Sequence, residues 1–99
     1  MNNKNRNFEL DFIGNLYRLA FFLATEKEYK NTKLIITSLE KDIEQIPPTN
    51  NKTNFYKLVQ FIKTSFNSIS SNRDKQLLAQ QCLDRYNILI TQYTHAEFA

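Results

Sequence analysis

Asn54–Ile69 reads NFYKLVQFIKTSFNSI. Its apolar residues Phe55, Leu58, Val59, Ile62, Phe66 and Ile69 recur three or four apart, with Leu58 and Val59 adjacent. That is the period of an α-helix with one face toward a core, and not the strict alternation of a half-buried strand. It is the cleanest such pattern in the chain and predicts a helix over about 54–70. Upstream, Pro47 and Pro48 open the polar stretch PPTNNKTN. A proline removes an amide donor and pushes the preceding residue out of helical geometry, so a helix over about 32–46 ends there. Ile36, Leu39, Ile43 and Ile46 form its apolar face. Further back, Phe12, Leu16, Leu19 and Leu23, widened by Ile13 and Ala20, predict a first helix over about 8–25. Gly14 lies inside it and costs about 1 kcal/mol against Ala; it would permit the close approach of a neighbouring helix.

Downstream, Ser71 followed by Asp74 resembles a capping box and starts a fourth helix over about 71–93. Its stripe is Leu78, Cys82, Tyr86, Leu89 and Tyr93, flanked by Leu83 and Ile90. The last residues, QYTHAEFA, are open to three readings: a metal or catalytic site, a short strap that packs back on the body, or a surface for a partner. Composition agrees with helices. The 99 residues hold one Gly and two Pro, too few for the turns of an all-β protein. Hydrophobic content of 41% against 23% charged residues is a globular balance. The expectation is one domain over 1–99, an all-α, antiparallel up-down four-helix bundle with a C-terminal strap.

The same residues argue against several chemistries. His95 is the only histidine and Cys82 the only cysteine, so neither a two-histidine metal site nor a zinc cluster can be assembled. A single glycine cannot build a phosphate-cradling loop. The expectation is no enzyme, no cofactor, no metal and no small-molecule substrate. The longest apolar run, Leu19–Ala24, is far shorter than the roughly 20 residues that cross a bilayer. No signal peptide is evident, and a cytoplasmic protein is expected.

Two features stand outside the bundle pattern. No acidic residue lies between Glu44 and Asp74, whereas Lys52, Lys57, Lys63 and Arg73 do. This basic stretch is either a solvated face or an attraction for anionic lipid headgroups, an acidic partner or nucleic acid. Phe21, Phe22, Tyr56 and Phe61 lie beside or off the main stripes. They either thicken the core or form an exposed patch that binds.

Four stretches, in order, carry a resemblance. NLYRLAFFL with Leu16-Tyr17, Tyr29 ahead of the second helix, KLVQFIKTS over 57–65, and QYTHAEF over 92–98 are similar to segments of the pediocin-like (class IIa) bacteriocin immunity proteins of lactic acid bacteria. The resemblance runs from about residue 10 to 98. It implies a cytosolic four-helix bundle, a monomer without enzymatic activity. Such proteins associate from the cytosolic side with the bacteriocin-bound receptor, the mannose phosphotransferase permease, and prevent lethal permeabilisation. It also implies a weak association with the inner membrane face. The partner-binding residues expected on this reading are Lys57, Phe61, Lys63, Arg73, Gln92, Tyr93, His95, Glu97 and Phe98. Two alternatives stay open: a small basic helical protein that associates with nucleic acid or acts as a regulator, and a structural or dimeric bundle whose surplus aromatics form a self-interface.

Overall fold

The computed structural model describes residues 7–98, with side chains through His95. The described chain is four helices, α1 (Phe8–Thr25), α2 (Lys30–Gln45), α3 (Asn50–Asn67) and α4 (Asn72–Phe98). Consecutive helices are neighbours, and α4 returns to α1, which closes an up-down bundle. The α1 stripe read from the sequence is buried in full: Phe12, Ile13, Leu16, Leu19, Ala20 and Leu23. Ile36, Leu39 and Ile43 from α2 with Ile46 just past its end, Phe55, Val59 and Ile62 from α3, and Leu78, Ala79 and Cys82 from α4 complete the core. Across the diagonal of the bundle, Phe12 of α1 stacks on Phe55 of α3 at 4.3 Å with nearly parallel planes. Such a pair adds about 0.5–1.5 kcal/mol beyond the area it buries.

Helix ends are held by side chains, and this shifted several boundaries from those expected. Asn7 caps α1, its side chain accepting from the Leu10 amide at 3.0 Å. Thr49 does the same for α3, accepting from Lys52 at 3.2 Å, so α3 begins four residues earlier than its apolar stripe suggests. α2 begins at Lys30, two residues early, behind Tyr29 at φ 60. This is the left-handed region, costly for a side chain with a Cβ. The Tyr29 ring packs edge-on against Phe66 at 5.2 Å, which anchors it there. Tyr29 offers no capping bond, and Glu26 substitutes. Its carboxylate accepts from the amides of Asn31 at 3.0 Å and Thr32 at 2.7 Å, and from the Thr32 hydroxyl at 2.8 Å. Burial pushes the Glu26 carboxyl up, but these hydrogen bonds together outweigh it and hold its pKa below the ordinary value.

The same corner fixes the start of α4. The Asp74 amide donates to Ser71 Oγ at 3.1 Å, as a capping box requires. Its carboxylate, however, reaches back to Ser70, accepting from the amide at 3.1 Å and the hydroxyl at 3.0 Å. The box is displaced by one residue because Asp is too short to span to Ser71. Lys75 Nζ and Gln76 Nε2 then donate to the carbonyls of Glu26 and Ala24, at 3.0 and 3.1 Å. These satisfy acceptors that the end of α1 leaves open.

The largest departure is at the C-terminus. No strap returns to the body; α4 continues as helix to Phe98. Its 27 residues run about 40 Å at 1.5 Å per residue, against about 27 Å for α1. Nothing in THAEF breaks a helix, there being neither Gly nor Pro. Tyr93 still serves as a tie, because its hydroxyl accepts from Asn7 Nδ2 at the start of α1.

Candidate functional site

α3 and α4 are the least closely packed neighbours in the bundle. Between them lies an open cleft of about 900 Å³. Leu58 and Leu89 are partly buried against the core at its base. Phe61 and Ile88, 46% and 47% exposed, stand on its two walls. Lys57 on the α3 side and Asp84, Arg85 and Gln92 on the α4 side supply its polar rim. Asp84 already accepts from Gln80 Nε2 at 2.8 Å along its own helix. The α3 wall therefore carries only positive charge, because no acid occurs on that helix.

The expected partner-binding residues divide on this structure. Lys57, Phe61 and Gln92 converge in the cleft. Lys63 does not: it points to α2 and pairs with Glu40 at 3.0 Å. Arg73 is exposed at the start of α4, and His95 near its far end. Tyr93 is half-buried and occupied with Asn7. The side chains of Glu97 and Phe98 lie outside the described residues. The +4 stretch is thus not one patch. One of its charges is paired, and the others are spread over different flanks.

Besides the apolar-stripe residues Phe55, Leu58 and Leu89, six cleft residues were not expected: Asn51 and Asn54 on α3, and Gln81, Asp84, Arg85 and Ile88 on α4. The four on α4 share one flank, Asp84 and Arg85 adjacent and Gln81 and Ile88 three and four away from them, a signal present in the sequence. It acquires meaning only once that flank is known to face α3. The surplus aromatics resolve toward exposure, with Phe21, Tyr56 and Phe61 largely open to solvent. Phe22 is half-buried against Phe21.

Reactive groups do not gather. Burial pushes the Cys82 thiol up to about 12, so it is not a thiolate near neutrality. His95 lies 13 residues further along the same helix, about 20 Å away. Among the described residues no group of three or more His, Cys, Asp or Glu could hold a metal ion. One buried carboxylate was missed by the sequence reading, Asp42, which accepts from Asn15 Nδ2 at 2.8 Å. It joins α2 to α1 in the wall of the bundle, away from the cleft. No helix among the described residues is long and apolar enough to cross a membrane. An apolar base, two hydrophobic walls and a rim on which Lys57 and Arg85 stand beside Asp84 suit the binding of an amphipathic segment. Comparison with protein-family models, curated proteins and solved structures found no match to this chain.

Proposed function

We propose that this chain is a bacteriocin immunity protein that acts by binding and makes or breaks no covalent bond. On this reading it engages the bacteriocin-bound mannose phosphotransferase permease at the cytosolic face of the membrane. One observation carries the proposal. Two separate stretches that resemble the class IIa immunity family, KLVQFIKTS and QYTHAEF, contribute Lys57 and Phe61 from the first and Gln92 from the second to a single cleft. Residues more than thirty positions apart in the chain converge on one surface fit to bind a helix. Phe61 and Ile88 are the apolar anchors, and Lys57 and Arg85 set orientation and select an acidic flank on the partner. A few such anchors commonly carry most of the energy of an interface.

The test is expression in a bacteriocin-sensitive host challenged with a panel of class IIa peptides. Protection against at least one peptide is expected, and its loss in Phe61→Ala and Lys57→Glu with the fold intact by circular dichroism. Unaltered sensitivity to every peptide in the panel ends the proposal. The basic stretch lends no comparable support to nucleic-acid binding, because its charges do not line one surface and its neighbouring aromatics offer no row of rings on which bases could stack.

A further inference from the structure

The two cations of the α3–α4 cleft stand level with each other on opposite walls. Lys57 is four residues from Phe61 on α3, and Arg85 is four residues from Gln81 on α4. The two helices run antiparallel, so Phe61 and Gln81 mark the same end of the cleft, and both cations lie about 6 Å along from it. Both are exposed. Among the described residues neither is paired with an acid, whereas Lys63 on the far side of α3 is taken up by Glu40. α3 carries no acid, and the one acid of the facing wall is Asp84. Its carboxylate accepts from Gln80 Nε2 at 2.8 Å. Gln80 lines the groove between α4 and α1, so that bond draws the carboxylate away from the cleft. Two like charges held level over an apolar base repel each other weakly and attract an anion between them.

The apolar lining lies mostly on one side of this pair. From Lys57 toward Asn51 the cleft has Phe55 on the α3 side and Ile88 and Leu89 on the α4 side. Beyond them the amides of Asn51, Asn54 and Gln92 make a polar end. From the level of Lys57 to that of Asn51 is about 9 Å. The volume of about 900 Å³ falls within the roughly 300–1,000 Å³ of small-ligand sites. A helix about 10 Å across and about 15 Å long occupies roughly 1,200 Å³, so a protein segment seats only one face here. A single alkyl chain enters whole.

We propose that the cleft binds a free medium-chain carboxylate, its head between Lys57 and Arg85 and its chain along Ile88 and Leu89 over Phe55. An extended chain advances about 1.2 Å per bond, since three backbone bonds span about 3.6 Å. About eight carbons therefore fill the distance from the cations to the amide end. The head lies at an open rim, where ion pairs contribute modestly. Most of the affinity comes from the chain, through apolar surface removed from water. The ligand is bound and released unchanged. A bound chain and a protein segment exclude each other, so occupancy by the carboxylate closes the cleft to a partner.

The test is titration of the isotopically labelled full chain with hexanoate, octanoate, decanoate and dodecanoate, each below its micelle concentration, followed by amide chemical shifts. Shifts are expected around Lys57, Arg85, Ile88 and Leu89. Affinity is expected to rise about fourfold per added methylene and to level off near about eight carbons. Octanol binds more weakly than octanoate, and octylammonium does not bind. Lys57→Gln and Arg85→Gln each weaken octanoate about threefold, and together about tenfold. Lys63→Gln removes the same charge outside the cleft and leaves binding unchanged. No response to any carboxylate overturns the proposal. So does equal binding of octylammonium, equal weakening by Lys63→Gln, or an affinity that keeps climbing to dodecanoate, because the cleft then does not bound the chain. Vesicles of anionic phospholipid form a second arm. Cosedimentation with them, without a response to the free carboxylates, gives the cations to a membrane surface and overturns the proposal too. Protection against bacteriocins enters none of these results, so this site and the immunity reading fail separately.

Discussion

Helix α4 has two seams, and they are built from different residues. Toward α1 it presents Ala79 between Leu78 and Cys82, and α1 answers with Ala20 and Ala24. Small side chains let the helix axes approach, and Tyr17 and Tyr86 pack ring to ring at 5.0 Å beside them. Toward α3 it presents Gln81, Arg85, Ile88 and Gln92, and α3 answers with Lys57 and Phe61. Long and charged side chains cannot be buried against one another without losing hydration, so the helices stay apart. The closed seam supplies the stability. The open one leaves apolar side chains and fixed charge for something outside the bundle.

That difference makes its sharpest prediction under truncation. Leu78→Ala, in the closed seam, is expected to cost about 2–5 kcal/mol. Ile88→Ala, on the wall of the open one, is expected to cost no more than about 0.5 kcal/mol. Urea denaturation measures both, and comparable losses would mean that the α3–α4 cleft is part of the core. Gly14→Ala comes next, with the opposite sign. Its Cβ enters empty space on a helix, so the folded chain gains about 0.5–1 kcal/mol. A loss of monomer stability would show that the gap is filled from within. Amide exchange extends the contrast to whole helices: α3, close to α2 and loose on α4, is expected to open and exchange sooner than α1.

Acid provides a further handle on the corner where α1, α2 and α4 meet. The carboxyls of Glu26 and Asp74 have pKa values held below their ordinary 4.5 and 3.8 by hydrogen bonding in the folded chain. Their stabilising contribution is thus complete above those values and declines as pH falls through the lower, folded ones. Glu26→Gln is expected to flatten the acid side of the stability profile, and an unchanged profile would remove Glu26 from the capping of α2. The smallest effect belongs to Lys63 and Glu40. Both side chains are about two-fifths exposed, so Lys63→Ala should alter stability by about 0–0.5 kcal/mol and less at high salt. It should also leave protection untouched, in contrast to Lys57→Glu in the cleft.

Periodicity and punctuation made most of the fold legible. The apolar residues of α1 and α2 were readable one by one because a spacing of three and four has only one geometric solution in a helix, and Pro47 stops α2 whatever surrounds it. Capping chemistry was readable too, but ambiguous: Thr49 reads equally as a loop residue or as the start of α3. The C-terminal residues lack any stop signal, and treating them as a strap overlooked that a helix continues unless something ends it. The candidate site was half legible. Lys57 and Phe61 stood out as a base in an acid-free stretch and an off-stripe aromatic, and Gln92 came from the family resemblance, whereas Arg85 and Ile88 had no signal that set them apart from other exposed residues of α4.

By itself, then, the order of residues determined four amphipathic rods, their core faces and most of their ends, since these depend on neighbours within a few positions. Tertiary structure alone decided which flanks meet, that Lys63 is engaged by Glu40 while Lys57 is not, and that Gly14 faces solvent. Those outcomes depend on the rotation of each helix about its axis and on its distance from the next. Both are set by how side chains from distant parts of the chain fit together, and no local pattern encodes them.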